Sequence, residues 1–392
     1  MTIRFTKLTP RRASALAIAT TLARGTNSLR VAVLGSGIAG STAARTLADR
    51  GAEVTVFEAG FGIGGRTSTR ITRDEFRYQF DHGAQYIGSP KTEAFRNALD
   101  GWRSDGSAKE WTGRFRTARG LELEEDETKD RFVGYPAMHS ICRNMLHHEN
   151  IKVKLRSRAN ASPHEIEGWE LAHDRTKEPL GTFDWLIVSD RNSAALHRED
   201  LTAANVEEFA SKTRHIESVK SLAAMVVFEK PLGLGIDAVQ FDGKDPKYGA
   251  LGWAARDSSK PGRERKMDEK ECWVLQSHPE AAMKILRDRT NLDEIREIAK
   301  DVLVNDFLNS IPFLIASGNE DIKIPPVVAA IGHRWSAAFP IPSEDFSQRD
   351  CQIMASKKFV ACGDYFGKLP GRVEGAYLSG VSAANQLLFH EI

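Results

Sequence analysis

Three glycines and a glutamate are the first residues whose types and spacing imply chemistry. They lie in Gly35-Ser36-Gly37-Ile38-Ala39-Gly40 and at Glu58. Glycines at this spacing, between a strand and a helix, seat the pyrophosphate of a dinucleotide. Gly35 permits the tight turn, Gly37 lets backbone approach the phosphates without a Cβ, and Gly40 lets the helix lie against the strand. Ser36 and Ala39 complete a loop where unpaired helix N–H groups and the positive dipole end face an anion. A carboxylate at Glu58 would accept both hydroxyls of an adenosine ribose and repel a 2′-phosphate. The pattern therefore fits FAD or NAD rather than NADP.

The elements that must position these residues can be read around them. Val31 to Leu34 is a short apolar run bounded by glycine, which predicts a buried parallel strand. Ala43, Ala44, Leu47 and Ala48 recur at helical spacing, and Gly51 closes that helix. Glu53 to Phe57 predicts a second strand that ends at Glu58, completing a βαβ unit.

Further candidates follow along the chain. In GFGIGGRTSTR, Gly64 and Gly65 would bring the loop close to a pyrophosphate, and Arg66 could neutralise phosphate charge. In FDHGAQYIG, the small Gly83 and Ala84 would let backbone lie against a flavin ring, while Gln85 and Tyr86 could touch ring or substrate. Trp335 could wall a substrate pocket. It joins Gln85 and Tyr86 as the candidate catalytic residues. Near the C-terminus, a strand leads to Gly363-Asp364 and then to a helix starting near Val373, with Val381, Ala384, Leu387 and Leu388 as its apolar face. Asp364 is placed to bond a ribityl hydroxyl, and Glu374-Gly375-Ala376 puts first-turn N–H groups at the flavin N1/O2 edge. Lys260, in the turn SSKPG, reads as a solvated lysine.

Composition narrows the alternatives. The chain has 392 residues, 41% hydrophobic and 27% charged, an ordinary globular composition long enough for two subdomains. Its 54 basic and 53 acidic residues give no global field for nucleic acid, and no apolar run reaches the ~20 residues of a membrane span. The four cysteines are far apart, without CxxC, and read as reduced thiols. No histidine spacing indicates a metal site. Flavin oxidation needs no hydrolytic triad, because the cofactor carries the hard chemistry.

The predicted fold is α/β. A Rossmann-type FAD-binding domain with a β-meander insertion takes residues 30–100, 151–212 and 326–392. A smaller α+β substrate domain with a mixed or antiparallel sheet takes 101–150 and 213–325. The meander is expected in IKVKLRSRA, GWELAHD and TFDWLIVSD, and a helix from about Asn291 to Leu308. Segments 121–130 and 258–270 read as solvated loops.

The chain resembles renalase-type flavoproteins, within the amine oxidase group on the glutathione-reductase-like FAD fold. The wide group rests on the first glycine motif and Gly64-Gly65-Arg66. The narrower likeness rests on FDHGAQYI, LGWAARDSSKPGR, WVLQSHPE, HRW and CGD…VEGAYLSG, spread over about residues 31–389. The chain departs from the family in lacking a proline near Asp190-Arg191 and in having Ala281-Ala282 where the family has an aromatic. The resemblance implies non-covalent FAD, oxidation of a small-molecule substrate and reoxidation by O2 to H2O2. For bacterial members the implied substrates are misreduced dihydronicotinamide isomers of NAD(P). An amine oxidase or desaturase of the same fold is the alternative enzyme, and a non-catalytic flavin-binding protein the alternative of another class.

Residues 1–30 hold Arg4, Lys7, Arg11, Arg12, Arg24 and Arg30 and no acid, which leaves 48 basic against 53 acidic residues elsewhere. A basic leader rich in Ser, Thr and Ala fits a transit peptide for a mitochondrion or plastid. Arg11-Arg12 before a mild apolar stretch also fits a twin-arginine signal, and a plain tail on a cytoplasmic protein is the third reading. Deleting residues 1–29 is expected to leave the flavin spectrum and melting temperature unchanged, while a reporter fused behind them moves to the organelle. A diffuse reporter would leave the plain tail standing.

Overall fold

The computed structural model describes residues 28–391 apart from 121, 128–129, 166, 190–205, 214–215, 244, 264–269, 316–322 and 342–343. The leader thus lies outside the described residues, except for its last positions. Strand Arg30–Leu34 is flanked by Glu53–Phe57 and Trp185–Val188, both parallel to it. Ile151–Lys154 and Phe359–Ala361 extend this sheet, and the short Gln352–Met354 closes it as an antiparallel edge, giving six strands. The first, second and fourth of these strands in chain order are almost wholly apolar, because helices and the meander cover both faces.

On one face, helix Ile38–Ala48 and the C-terminal helix Val373–Glu391 both pack on the sheet and against each other. Gly380 permits that contact: a Cβ there would fall on Ala39 O and within 2.9 Å of Thr42 Cβ. On the other face sits the three-stranded antiparallel meander Ala159–Pro163, Trp169–His173 and Pro179–Phe183. The expected first meander segment is split, since Ile151–Lys154 joins the parallel sheet instead.

A second sheet of seven strands runs in the order Val327–Pro340, Ser218–Phe228, Glu271–Ser277, Leu251–Arg256, Ala238–Phe241, Phe115–Arg119, Glu122–Glu125. Helix Leu292–Leu314 packs on its far face through Ile295, Ala299, Leu303, Phe307 and Ile311. It runs six residues beyond the expected end, carrying Pro312 in its last turn. Strand Val327–Pro340 pairs antiparallel with Ser218–Phe228, and the register shifts near both ends.

The division into domains differs from the expected one in two places. Residues 327–340 belong to the second sheet, because Ser218–Phe228 needs a partner on its open edge. Helix Ser140–Leu146, expected in the substrate domain, packs on the first helix. Likewise, 122–125 is an edge strand rather than a loop. Among the described residues no helix is long and apolar enough to cross a membrane, and none of the four cysteines is in a disulfide. Replacing Gly380 by alanine is expected to cost about 1–3 kcal/mol by overpacking, read as a lower urea midpoint with unchanged slope.

Candidate functional site

A cavity of about 650 Å³ lies at the ends of the parallel strands and reaches the second sheet. Its inner wall is the glycine loop. Gly35 takes φ +100°, and its N–H donates to Phe57 O at 2.9 Å, which fixes the loop beside the second strand. The first helix begins at Gly37 with no side-chain cap and no acidic residue in its first turn, so its end is left for an anion. Gly40 stands behind, where a Cβ would fall on Gly35 O. Gly64 and Gly65 continue the wall, with the Gly64 N–H donating to Ser36 O at 3.0 Å and Gly65 facing Gly37.

Glu58 lines the cavity at the end of the second strand. Its carboxylate accepts the Ser36 hydroxyl at 2.6 Å, the Ser36 N–H at 3.1 Å and the Gly60 N–H at 2.6 Å. Two carboxylate oxygens offer about four acceptor positions, so one direction remains for a ligand hydroxyl.

Arg66 and Asp364 meet each other. The guanidinium donates to both Asp364 oxygens, at 2.6 and 2.7 Å, and to Ala338 O at 3.1 Å. The arginine expected on phosphate and the aspartate expected on a ribityl hydroxyl thus form one bidentate pair, which ties the segments after Glu53–Phe57 and Phe359–Ala361 to each other and, through Ala338 O, to the second sheet. Both still line the cavity.

Gly83 and Ala84 lie on the cavity wall as expected from their size. A Cβ on Gly83 would fall on Arg66 O, and the Ala84 N–H donates to that same oxygen at 2.8 Å. Gln85 and Tyr86, expected to touch ring or substrate, are not among the lining residues. Gln85 is buried between Trp253 and Lys260, and Tyr86 packs against Trp253 and under Arg131. The loop must satisfy its buried carbonyls, and the Gln85 amide does so.

Val373 and Ala376 of the C-terminal helix reach the cavity, but Glu374 and Gly375 do not. The Glu374 carboxylate accepts the N–H groups of Lys91 and Thr92 and the Thr92 hydroxyl, holding the start of helix Glu93–Ser104. Gly375 allows close approach to Leu369 O. Gly363 lies behind Asp364, its N–H donating to Ser379 Oγ at 2.8 Å.

The far wall belongs to the second sheet. Trp335 lies within the long strand Val327–Pro340. Its indole N–H donates to His82 O at 2.8 Å, and its ring stacks on the His82 ring with centroids 5.1 Å apart. His333, on the same strand face, meets both rings edge-on. Ser221 and Gln276 complete this wall. Burial is the main cause of lowered pKa values at His82 (about 4) and His333 (about 3). The neighbouring cations Arg70 and, for His333, Arg296 push in the same direction.

Sequence reasoning missed His82, His333 and a buried set of charges around Lys260. His82 stood in a motif already singled out, flanked by the residues chosen. Lys260, expected in solvent, is fully buried between Asp81 and Asp257. Asp81 is 179 residues away, so no local pattern marked the pair.

Residues 33–101 match the family model described as NAD(P)-binding Rossmann-like domain. Two solved structures share the fold at low identity. One, from Exiguobacterium sp. 255-15 and assigned as a protoporphyrinogen oxidase, has TM-score 0.65 and 11% identity, covering 93% of this chain and 99% of that one. The other, an oxidoreductase from Methanosarcina mazei, has TM-score 0.62 and 10% identity, covering 91% and 100%. The glycine loop and Glu58 thus sit in a Rossmann-like domain, within an α/β fold that the chain shares over almost its whole length.

Because both histidines hold protons less readily when folded, the unfolded chain binds more protons between pH 6.5 and about 4. Their contribution to stability is present above 6.5 and is lost as pH falls through that window. The melting temperature is expected to drop across it. The drop should shrink in the double variant His82→Phe/His333→Phe, and equal slopes would contradict the assignment.

Proposed function

We propose that the protein is an FAD-dependent oxidoreductase that takes a hydride from a small reduced substrate, with O2 as the acceptor that leaves as H2O2. The carrying observation is one cavity running from the glycine loop to the His333 and Trp335 wall. A dinucleotide held by the loop and a substrate held by the second sheet would share that space.

The residues fit FAD. The uncapped helix start at Gly37 suits a pyrophosphate, the facing glycines leave room for it, and Glu58 retains an acceptor direction for ribose. When bound, FAD would supply the two-electron acceptor, which side chains cannot. Arg66 and Asp364 hold the segments on either side together, Gly83 and Ala84 present a small backbone wall, and Trp335 with His333 bounds the substrate side. The His333 imidazole on that wall, kept neutral by burial, suits an uncharged ring better than an ammonium group. That favours a dihydronicotinamide isomer of NAD(P) over an amine, in keeping with the renalase-type motifs. The names of the two structural relatives are consistent with a redox role.

The test starts from colour. The purified protein is expected to be yellow, and acid precipitation should release the flavin into the supernatant. Colour in the pellet would contradict a non-covalent cofactor, and colourless native protein would overturn the proposal. Mixed without oxygen, borohydride-derived dihydronicotinamide isomers are expected to bleach the flavin, and air to restore it with H2O2. Bleaching by amines alone would favour an amine oxidase. No bleaching by either would favour a flavin-binding protein without turnover.

A further inference from the structure

We propose that Asp81, Asp257, Lys260 and Arg263 form an ionic quartet that positions the cavity wall, acting through Gln85 on the backbone of residues 81–84. None of the four lines the cavity, and none is more than 2% exposed. Each cation touches both carboxylates. Lys260 Nζ is 3.2 Å from Asp81 Oδ2 and 2.7 Å from Asp257 Oδ1. Arg263 Nη2 is 2.6 Å from Asp81 Oδ2, and its Nε is 2.9 Å from Asp257 Oδ2. Thr69 Oγ1 donates to the remaining Asp81 oxygen at 2.6 Å, and the Asp81 N–H donates to Asp257 at 3.3 Å. Two charges of each sign leave the quartet neutral, as a set withdrawn from water must nearly be.

Asp81 joins the quartet to this segment through its own backbone, and the Gln85 amide carries the quartet's hold on to the carbonyls of the wall. Lys260 Nζ donates to Gln85 Oε1 at 3.4 Å, and the Trp253 indole N–H donates to the same oxygen at 3.3 Å. An ammonium group can only donate, so it holds the oxygen of the Gln85 amide toward itself and forbids the flipped amide. The Gln85 nitrogen is thereby directed at the carbonyls of Asp81 and Gly83, and it donates to both. Gly83 and Ala84 are wall residues. The ammonium thus fixes the wall through two successive hydrogen bonds, and Lys260 and Gln85 are positioning residues, not catalytic ones. What the wall does for a flavin rests on the function proposed above. The coupling of the quartet to residues 81–84 does not.

Three variants of the full chain separate positioning from mere stability: Gln85→Leu, Lys260→Met and the double variant Asp257→Asn/Lys260→Met. FAD affinity, melting temperature and amide exchange at residues 82–84 are the readouts. Gln85→Leu keeps all four charges. It is expected to weaken FAD binding about tenfold or more and to speed exchange at 82–84, with a smaller loss of melting temperature than Lys260→Met. The double variant is expected to regain the melting temperature lost by Lys260→Met, because its remaining charges balance. It should regain neither affinity nor slow exchange, because no cation faces Gln85. Wild-type affinity and exchange in Gln85→Leu, or full recovery of all three readouts in the double variant, would overturn the proposal. If the wild-type chain binds no FAD, the functional reading fails, and exchange at 82–84 in the apo-protein decides alone.

Discussion

Three consecutive carbonyls, those of buried Asp81 and His82 and half-buried Gly83, lie in a stretch that belongs to no sheet ladder. Backbone oxygens withdrawn from water must find donors. Among the described residues the donors are side chains: Gln85 for Asp81 and Gly83, Gln276 for His82 and Gly83, and Trp335 for His82. Gln276 and Trp335 stand on two different strands of the second sheet. The loop that passes closest to Arg66 is therefore also the loop that anchors the two halves of the molecule to each other. Moving either sheet would strand buried oxygens, at about 1–3 kcal/mol for each group left unpaired.

Around that joint the charges are arranged so that few are left free. Glu58 is held by two N–H groups and a hydroxyl, Arg66 by Asp364, and Glu374 by the start of a neighbouring helix. The helix end at Gly37 lacks this treatment and has no capping side chain. That asymmetry gives the cavity a direction. One end offers uncompensated N–H dipoles to an anion, and the other offers the Trp335 ring and a His333 imidazole that burial keeps neutral.

The sequence was informative where function is local and weak where it is assembled. The strand, glycine loop, helix and Glu58 span fewer than 30 residues, and each piece carries its own signal of apolar run, turn residue or helical period. The start of the C-terminal helix at Val373 was legible for the same reason. Gln85 and Tyr86 could not be oriented from sequence, because the facing of a non-ladder segment is decided by what its carbonyls need. Lys260 looked solvated because Ser, Pro and Gly surround it. Its acidic partner Asp81 lies on another element, and tertiary pairing overrode the local composition. The expected domain bounds put residues 326–392 with the first sheet, whereas Val327–Pro340 joins the second, since period and composition say little about which edge a strand will join.

That strand is 14 residues long and sits at the margin of its sheet, paired on one side only. A straight margin of this length invites a second molecule to add a strand and start an aggregate. The register shifts at Val219/Ser221 and Val227/Phe228 bear on that hazard. Each irregularity bends and twists the ribbon, confining to the seven residues Ala329 to Trp335 the regular stretch on which a foreign strand could run in step. The irregularities that look like defects in the pairing thus shorten the straight edge from 14 residues to seven. They also let the same strand carry His333 and Trp335 at the cavity without offering its whole length as a template.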